Sequence, residues 1–117
     1  MDVLIVVDVQ RWFSPVPGTV TGAIVSEIRA AKRAKKPIVI VEMMDCQGTL
    51  SVLQRAIGKY SLVTFVTKED WSGAKQIAKA LESVRPNTLR ICGLYTSRCL
   101  AVTSEALADE GFDVEVV

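Results

Sequence analysis

The sequence predicts a three-layer α/β fold: a Rossmann-like, mostly parallel sheet of about five strands with helices on both faces. Three observations predict it. Short apolar, β-branched runs alternate with segments of helical spacing along the whole chain. The runs are too uniformly apolar for strands with one wet face, and suit strands covered on both sides. The 117 residues are 50% hydrophobic and carry no linker, repeat or low-complexity stretch, so residues 1–117 read as one domain with its own core.

The elements follow in order. Val3 to Val9 is a strand interrupted only by Asp8. Ser14-Pro15-Val16-Pro17-Gly18 is a loop. Ile24, Ile28, Ala31 and Ala34 then recur at helical spacing. The basic run Lys32-Arg33-Ala34-Lys35-Lys36 falls where that helix ends, and cations there complement the helix dipole. Pro37 opens a second strand, Ile38 to Val41. Leu50, Leu53, Ala56 and Ile57 predict a short helix ended near Gly58, and Leu62 to Thr67 a third strand. Ala74 to Val84 reads as a helix burying Ile77, Ala78 and Leu81, stopped before Pro86. Thr88 to Cys92 is a fourth strand, Thr96 to Glu110 a helix closed by Gly111, and Phe112 to Val117 a fifth strand.

Composition excludes several function classes. Lys+Arg is 14 and Asp+Glu is 13, and a net charge of +1 gives no electrostatic footprint for nucleic acid. No apolar run approaches the roughly 20 residues of a membrane span, so no membrane partner is expected. Met1-Asp2 leads directly into an apolar strand, without a basic leader or cleavage site, so the expected compartment is the reducing cytoplasm. The 3 cysteines are too scattered for a disulfide framework. There is no histidine, which removes Ser-His-Asp and Cys-His catalysis. A general base must then be a carboxylate, a lysine or a cysteine.

Open parallel sheets place chemistry at the carboxyl ends of their strands. Asp8, the segment Glu42 to Asp45, Lys68 and the segment Gly93 to Cys99 all fall there. Asp8 is a lone carboxylate on an apolar strand, costly to bury unless paired. On its own it reads equally well as a residue capping a turn. Gln10, Trp12 and Phe13 follow it; an aromatic there is usually core packing, but at a strand's carboxyl end it can also wall a pocket. Lys68 would ordinarily be solvated, but it suits Asp8 as a partner that keeps the carboxylate ionised and favours a thiolate. Cys99 falls in the first turn of a helix entered through Gly93, with Thr96 or Ser97 as N-cap. Free backbone N–H groups and the helix dipole there lower a thiol pKa and favour an oxyanion. Cys92, inside a strand, reads as a small buried hydrophobe, and Cys46 as a free loop thiol.

Val6-Val7-Asp8-Val9-Gln10 with Phe13, the strand-end Lys68, and Gly93-Leu94-Tyr95-Thr96-Ser97-Arg98-Cys99-Leu100-Ala101-Val102-Thr103-Ser104 together resemble the three signature segments of the isochorismatase-like cysteine hydrolases. Order and strand context match, and the resemblance extends through Gly111 to Val117. It implies an Asp-Lys-Cys triad. Asp8 would take the Cys99 proton and later activate water, Lys68 would orient Asp8, and Cys99 would attack a carbonyl carbon. It also implies an oxyanion hole from the backbone N–H groups of Tyr95 and Cys99, a cis peptide between Leu94 and Tyr95, and a pocket formed by Gln10, Phe13, Leu94 and Tyr95.

Two departures from the family narrow the chemistry. The zinc-dependent nicotinamidase branch has an Asp-x-His-His motif after strand two, where this chain reads Glu42-Met43-Met44-Asp45-Cys46-Gln47-Gly48. No metal and no cofactor are therefore expected. The resemblance implies an amidase-like hydrolase acting on a small amide, carbamoyl or ureido substrate. Family members usually continue past strand five with an acidic loop, a helix and a sixth strand, so strand five is expected as an exposed edge that favours a homo-oligomer. The alternative is a catalytically silent α/β domain that binds a small ligand or a protein through the same pocket. A dinucleotide-binding domain wants glycines after strand one, and a thiol redox protein wants Cys-x-x-Cys; the sequence has neither.

Overall fold

A computed structural model describes residues 2–95 and 98–117. Five strands form one sheet in the order β3-β2-β1-β4-β5: β1 (Asp2–Val7), β2 (Ile38–Met43), β3 (Val63–Lys68), β4 (Thr88–Gly93) and β5 (Val114–Val116). All the strand pairs are parallel. The alternation in sequence becomes two cores. Leu4, Val6, Ile38, Ile40 and Cys92 point to one face, under α1 (Gly18–Arg33) and α2 (Ser51–Ile57). Val3, Ile5, Val39, Val41, Leu89 and Ile91 point to the other, under α3 (Ala74–Ala80) and α4 (Cys99–Asp109). Central strands with both faces covered are why β1 and β2 read as almost unbroken apolar runs.

The chain builds outward from β1 through β2 to β3, then crosses back to place β4 on the other side of β1. The strand order thus reverses between β1 and β4, and a crevice opens beyond their carboxyl ends. Gly93 shapes the exit from β4. Its φ is +136°, and a Cβ there would lie 2.1 Å from the Val7 carbonyl oxygen, so only glycine lets β4 and β1 approach this closely. The Leu94 N–H then donates to that Val7 carbonyl at 2.9 Å.

Several boundaries differ from the periodicity. Asp8 has a φ of +58° and leaves the strand after Val7. Helix α1 ends at Arg33; Ala34 is its exposed C-cap, and Val25 joins Ile24, Ile28 and Ala31 on the buried face instead. Lys32, in the basic run, donates its ammonium to the Ala56 carbonyl at 2.7 Å rather than standing free in solvent. Strand β3 runs one residue further than expected and takes in Lys68. Helix α3 stops at Ala80, and the chain continues in turns towards Pro86, which disfavours helical backbone at Arg85. Strand β5 shortens to Val114–Val116, an edge strand with β4 as its partner; Phe112 packs into the core instead. No helix among the described residues is long and apolar enough to cross a membrane.

Candidate active site

Asp8, Lys68 and Cys99 meet at the crevice between β1 and β4. Asp8 is fixed by its backbone N–H, which donates to the Val41 carbonyl at 2.9 Å. Lys68 lies two strands away and reaches back beneath the loop that follows it. A Cβ on Gly73 would meet the Lys68 Cδ at 3.3 Å and Val41 Cγ1 at 3.1 Å, so the glycine makes room for the lysine stem. The Lys68 Nζ stands 3.0 Å from Asp8 Oδ2, with the two side chains 0% and 1% exposed. It also donates to the Trp71 carbonyl. Far from being solvated, Lys68 is among the largest fully buried side chains of the molecule.

The Lys68 ammonium and the Cys99 thiol are the side chains that face the buried Asp8 carboxylate. Burial pushes the Asp8 carboxyl above its ordinary range, with Lys68 and the Cys99 thiol pulling the other way. Burial likewise pushes the Cys99 thiol up, and the neighbouring Asp8 pushes it further against the pull of Lys68. The direction at Cys99 is opposite to the lowering expected from the helix start: burial and Asp8 together outweigh the pull of Lys68.

Helix α4 begins at Cys99 itself, with Arg98 at the N-cap and no side-chain cap. The Thr96 or Ser97 cap lies outside the described residues. The Tyr95 carbonyl does the capping, accepting from the N–H groups of Arg98 at 2.9 Å and Leu100 at 3.2 Å. The Leu94–Tyr95 peptide is cis. Cys99 occupies the first helical position, where the N–H has no acceptor within the helix.

A cavity of about 470 Å³ opens over these groups, lined by Asp8, Cys99, Phe13, Leu94, Tyr95, Met43, Trp71 and Arg98. Phe13 and Tyr95 meet edge to face, with ring centroids 5.7 Å apart. The Arg98 guanidinium lies 5.4 Å from the Trp71 ring centroid. Phe13, Leu94 and Tyr95 are in the wall, as the sequence suggests. Gln10 is not. It is fully buried, its amide donating to the carbonyls of Met43 at 3.0 Å and Gln47 at 2.6 Å and accepting from the Met43 N–H at 2.8 Å. It braces the loop after β2, because a buried amide is best satisfied by the backbone groups around it.

The sequence reading assigns no individual role to Met43, Trp71, Arg98 or Thr103. Met43 ends β2 at the same sheet edge, and Arg98 directly precedes the nucleophile candidate, so position alone pointed to both. Thr103 lies one turn beyond Cys99. Its hydroxyl is fully buried, accepts from the Gly73 N–H at 3.1 Å, and so ties α4 to the loop over Lys68.

The zinc of the nicotinamidase branch does not fit this donor set. Among the described residues no group of three or more Cys, Asp and Glu side chains converges. The Glu42 carboxylate is already engaged by the Thr49 N–H at 2.8 Å and hydroxyl at 2.7 Å, and Asp45 is exposed in the loop.

No family model matches the chain, and no curated protein matches it in sequence. Solved structures do match in fold. An isochorismatase from Pseudomonas putida KT2440 superposes with a TM-score of 0.83 at 19% identity, over 99% of this chain and 68% of its own. A nicotinamidase from Staphylococcus aureus gives 0.83 at 22% identity, over 98% of this chain and 78% of its own. An octameric hydrolase of unknown specificity from Escherichia coli gives 0.81 at 18% identity, over 99% of this chain and 61% of its own. With strand order, crevice and cavity in place, the chain is built on the fold of the isochorismatase-family structures.

Proposed function

We propose that the crevice is the active site of a cysteine hydrolase that cleaves the C–N bond of a small amide, carbamoyl or ureido compound. The observation that carries this reading is the buried Asp8–Lys68 pair, 3.0 Å apart, with Asp8 and Cys99 together in the wall of one cavity.

Asp8 takes the Cys99 proton as the sulfur adds to the carbonyl carbon. The developing oxyanion is held by the backbone N–H groups of Tyr95 and Cys99. Collapse breaks the C–N bond, and Asp8 returns the proton to the departing nitrogen, leaving an acyl-enzyme. Water, deprotonated by Asp8, attacks the same carbon; the C–S bond breaks and the proton goes back to sulfur. Lys68 keeps a counter-charge at Asp8 throughout. Fold alone does not fix chemistry, so the reading rests on this constellation. The fold relatives of named activity, an isochorismatase and a nicotinamidase, are consistent with a hydrolase.

A screen of primary amides, carbamoyl and ureido compounds with wild type and Cys99→Ala tests the mechanism. Wild type is expected to turn over at least one class, Cys99→Ala to lose at least about 10³-fold, in line with loss of a covalent nucleophile. Intact-mass detection of an acyl adduct on Cys99 is the second arm. Activity surviving in Cys99→Ala sinks the covalent route. No turnover and no adduct with any class favours a binding domain that uses the same cavity.

Self-association is part of the proposal. Strands β3 and β5 are both sheet edges, and Phe65 and Val116 on them are exposed. One fold relative is an octamer. Sedimentation of the purified protein reads this directly.

A further inference from the structure

Charge around the cavity is not balanced. Asp8 and Lys68 neutralise each other, and Lys68 does not reach the cavity surface. Arg98 is then the cation that lines the cavity, and no Asp or Glu among the described residues pairs with it. Asp70, which precedes Trp71 in the chain, accepts the Trp71 N–H on its carboxylate at 2.7 Å. The geometry points to Arg98 as a specificity-determining residue that binds an anionic group, a carboxylate, on the substrate. This rests on the hydrolase reading above and names its substrate class: small amide or carbamoyl compounds carrying a carboxylate close to the scissile carbonyl.

Three observations support it. Arg98 is the residue next to Cys99, and both line one small cavity of about 470 Å³. The guanidinium lies over the Trp71 ring at 5.4 Å, which holds its plane and leaves its N–H fork for a planar partner. The remaining wall from Phe13, Leu94 and Tyr95 is apolar and offers no competing cation. A carboxylate matches the fork with two parallel hydrogen bonds, which neither water nor an aliphatic group supplies.

Isosteric pairs test the inference. Succinamate is compared with 4-methylpentanamide, and N-carbamoylglycine with isobutylurea, in wild type, Arg98→Met and Arg98→Lys. Wild type should favour the anionic member in kcat/KM by about 10- to 100-fold, the range of a charge-assisted hydrogen-bonded contact. In Arg98→Met the ratio should fall towards one, mainly through KM of the anionic member, with Arg98→Lys in between. Equal turnover of both members by wild type, or a preference that persists in Arg98→Met, overturns the role of Arg98 and leaves the hydrolase standing. Calorimetric binding of the same four compounds to Cys99→Ala, with and without Arg98→Met, reads charge selection without turnover. If nothing is hydrolysed but the anionic compounds bind in an Arg98-dependent way, the hydrolase reading fails and the anion site stands. If they bind no better than the neutral ones, the anion site falls as well.

Discussion

Two ion pairs stand on the same sheet with nearly the same separation and different surroundings. Asp8 and Lys68 lie 3.0 Å apart with 1% and 0% of their side chains exposed. Arg90 of β4 and Glu27 of α1 also lie 3.0 Å apart, but 30% and 29% exposed, with Glu115 of β5 a further 3.1 Å from the same guanidinium. Distance therefore does not distinguish them; solvation does. The surface cluster keeps water around its charges and gives up little to form. The interior pair surrenders hydration that its mutual attraction offsets only in part, and an apolar pair of similar volume would fill the space as well. A buried charged pair under a cavity and beside a thiol is what the proposed chemistry needs, and its net contribution to folding is expected to be small.

Removing one partner of the buried pair is the largest expected effect. Lys68→Met leaves Asp8 with no counter-charge in an apolar setting and should cost about 3–5 kcal/mol in urea unfolding. Combining it with Asp8→Leu should recover most of that loss while leaving no base for Cys99. A single-variant cost below about 1 kcal/mol would place the pair among surface contacts and erase the contrast with Arg90.

The comparison also explains what the sequence could show. Asp8, Lys68 and Cys99 were legible because each ends or follows an apolar strand, and topology gathers strand ends on one edge. The strands themselves were legible as β-branched runs, whereas their order and register come from the fold. Gln10 was misread because its three bonds go to the backbone of Met43 and Gln47, more than thirty residues away, and nothing local in sequence reports those partners. Trp71 and Arg98 came together through the packing of two loops. The direction of the thiol pKa was missed for a related reason: a helix start is local in sequence, whereas the burial and the Asp8 neighbour that raise the pKa depend on the whole fold. Ala34 had the right spacing, but helix α1 had already ended.

The second effect is on protonation at Cys99. Burial and Asp8 both hold the thiol above its ordinary pKa. Alkylation of Cys99 by iodoacetamide, followed by peptide mass spectrometry, should therefore rise only at pH above the ordinary thiol range. Asp8→Asn removes the negative neighbour but leaves the burial and the Lys68 ammonium, so the alkylation midpoint should move down. An unchanged midpoint would mean that Asp8 does not sense the thiol proton, and the general-base role would fail with it.

The smallest effect is expected at Arg90, and it is the control for the whole comparison. Arg90→Met breaks contacts to two carboxylates, more than Lys68→Met breaks, yet Glu27 and Glu115 remain in reach of water. The cost in urea unfolding should be about 1 kcal/mol or less. The gap from wild type should narrow further in high salt, because partly exposed charges are screened. Cys99 alkylation should keep its pH profile, since Arg90 is not among the groups that perturb the thiol. A loss at Arg90 as large as that at Lys68 would mean that the number of contacts outweighs burial in this sheet, and the buried pair would need no catalytic explanation.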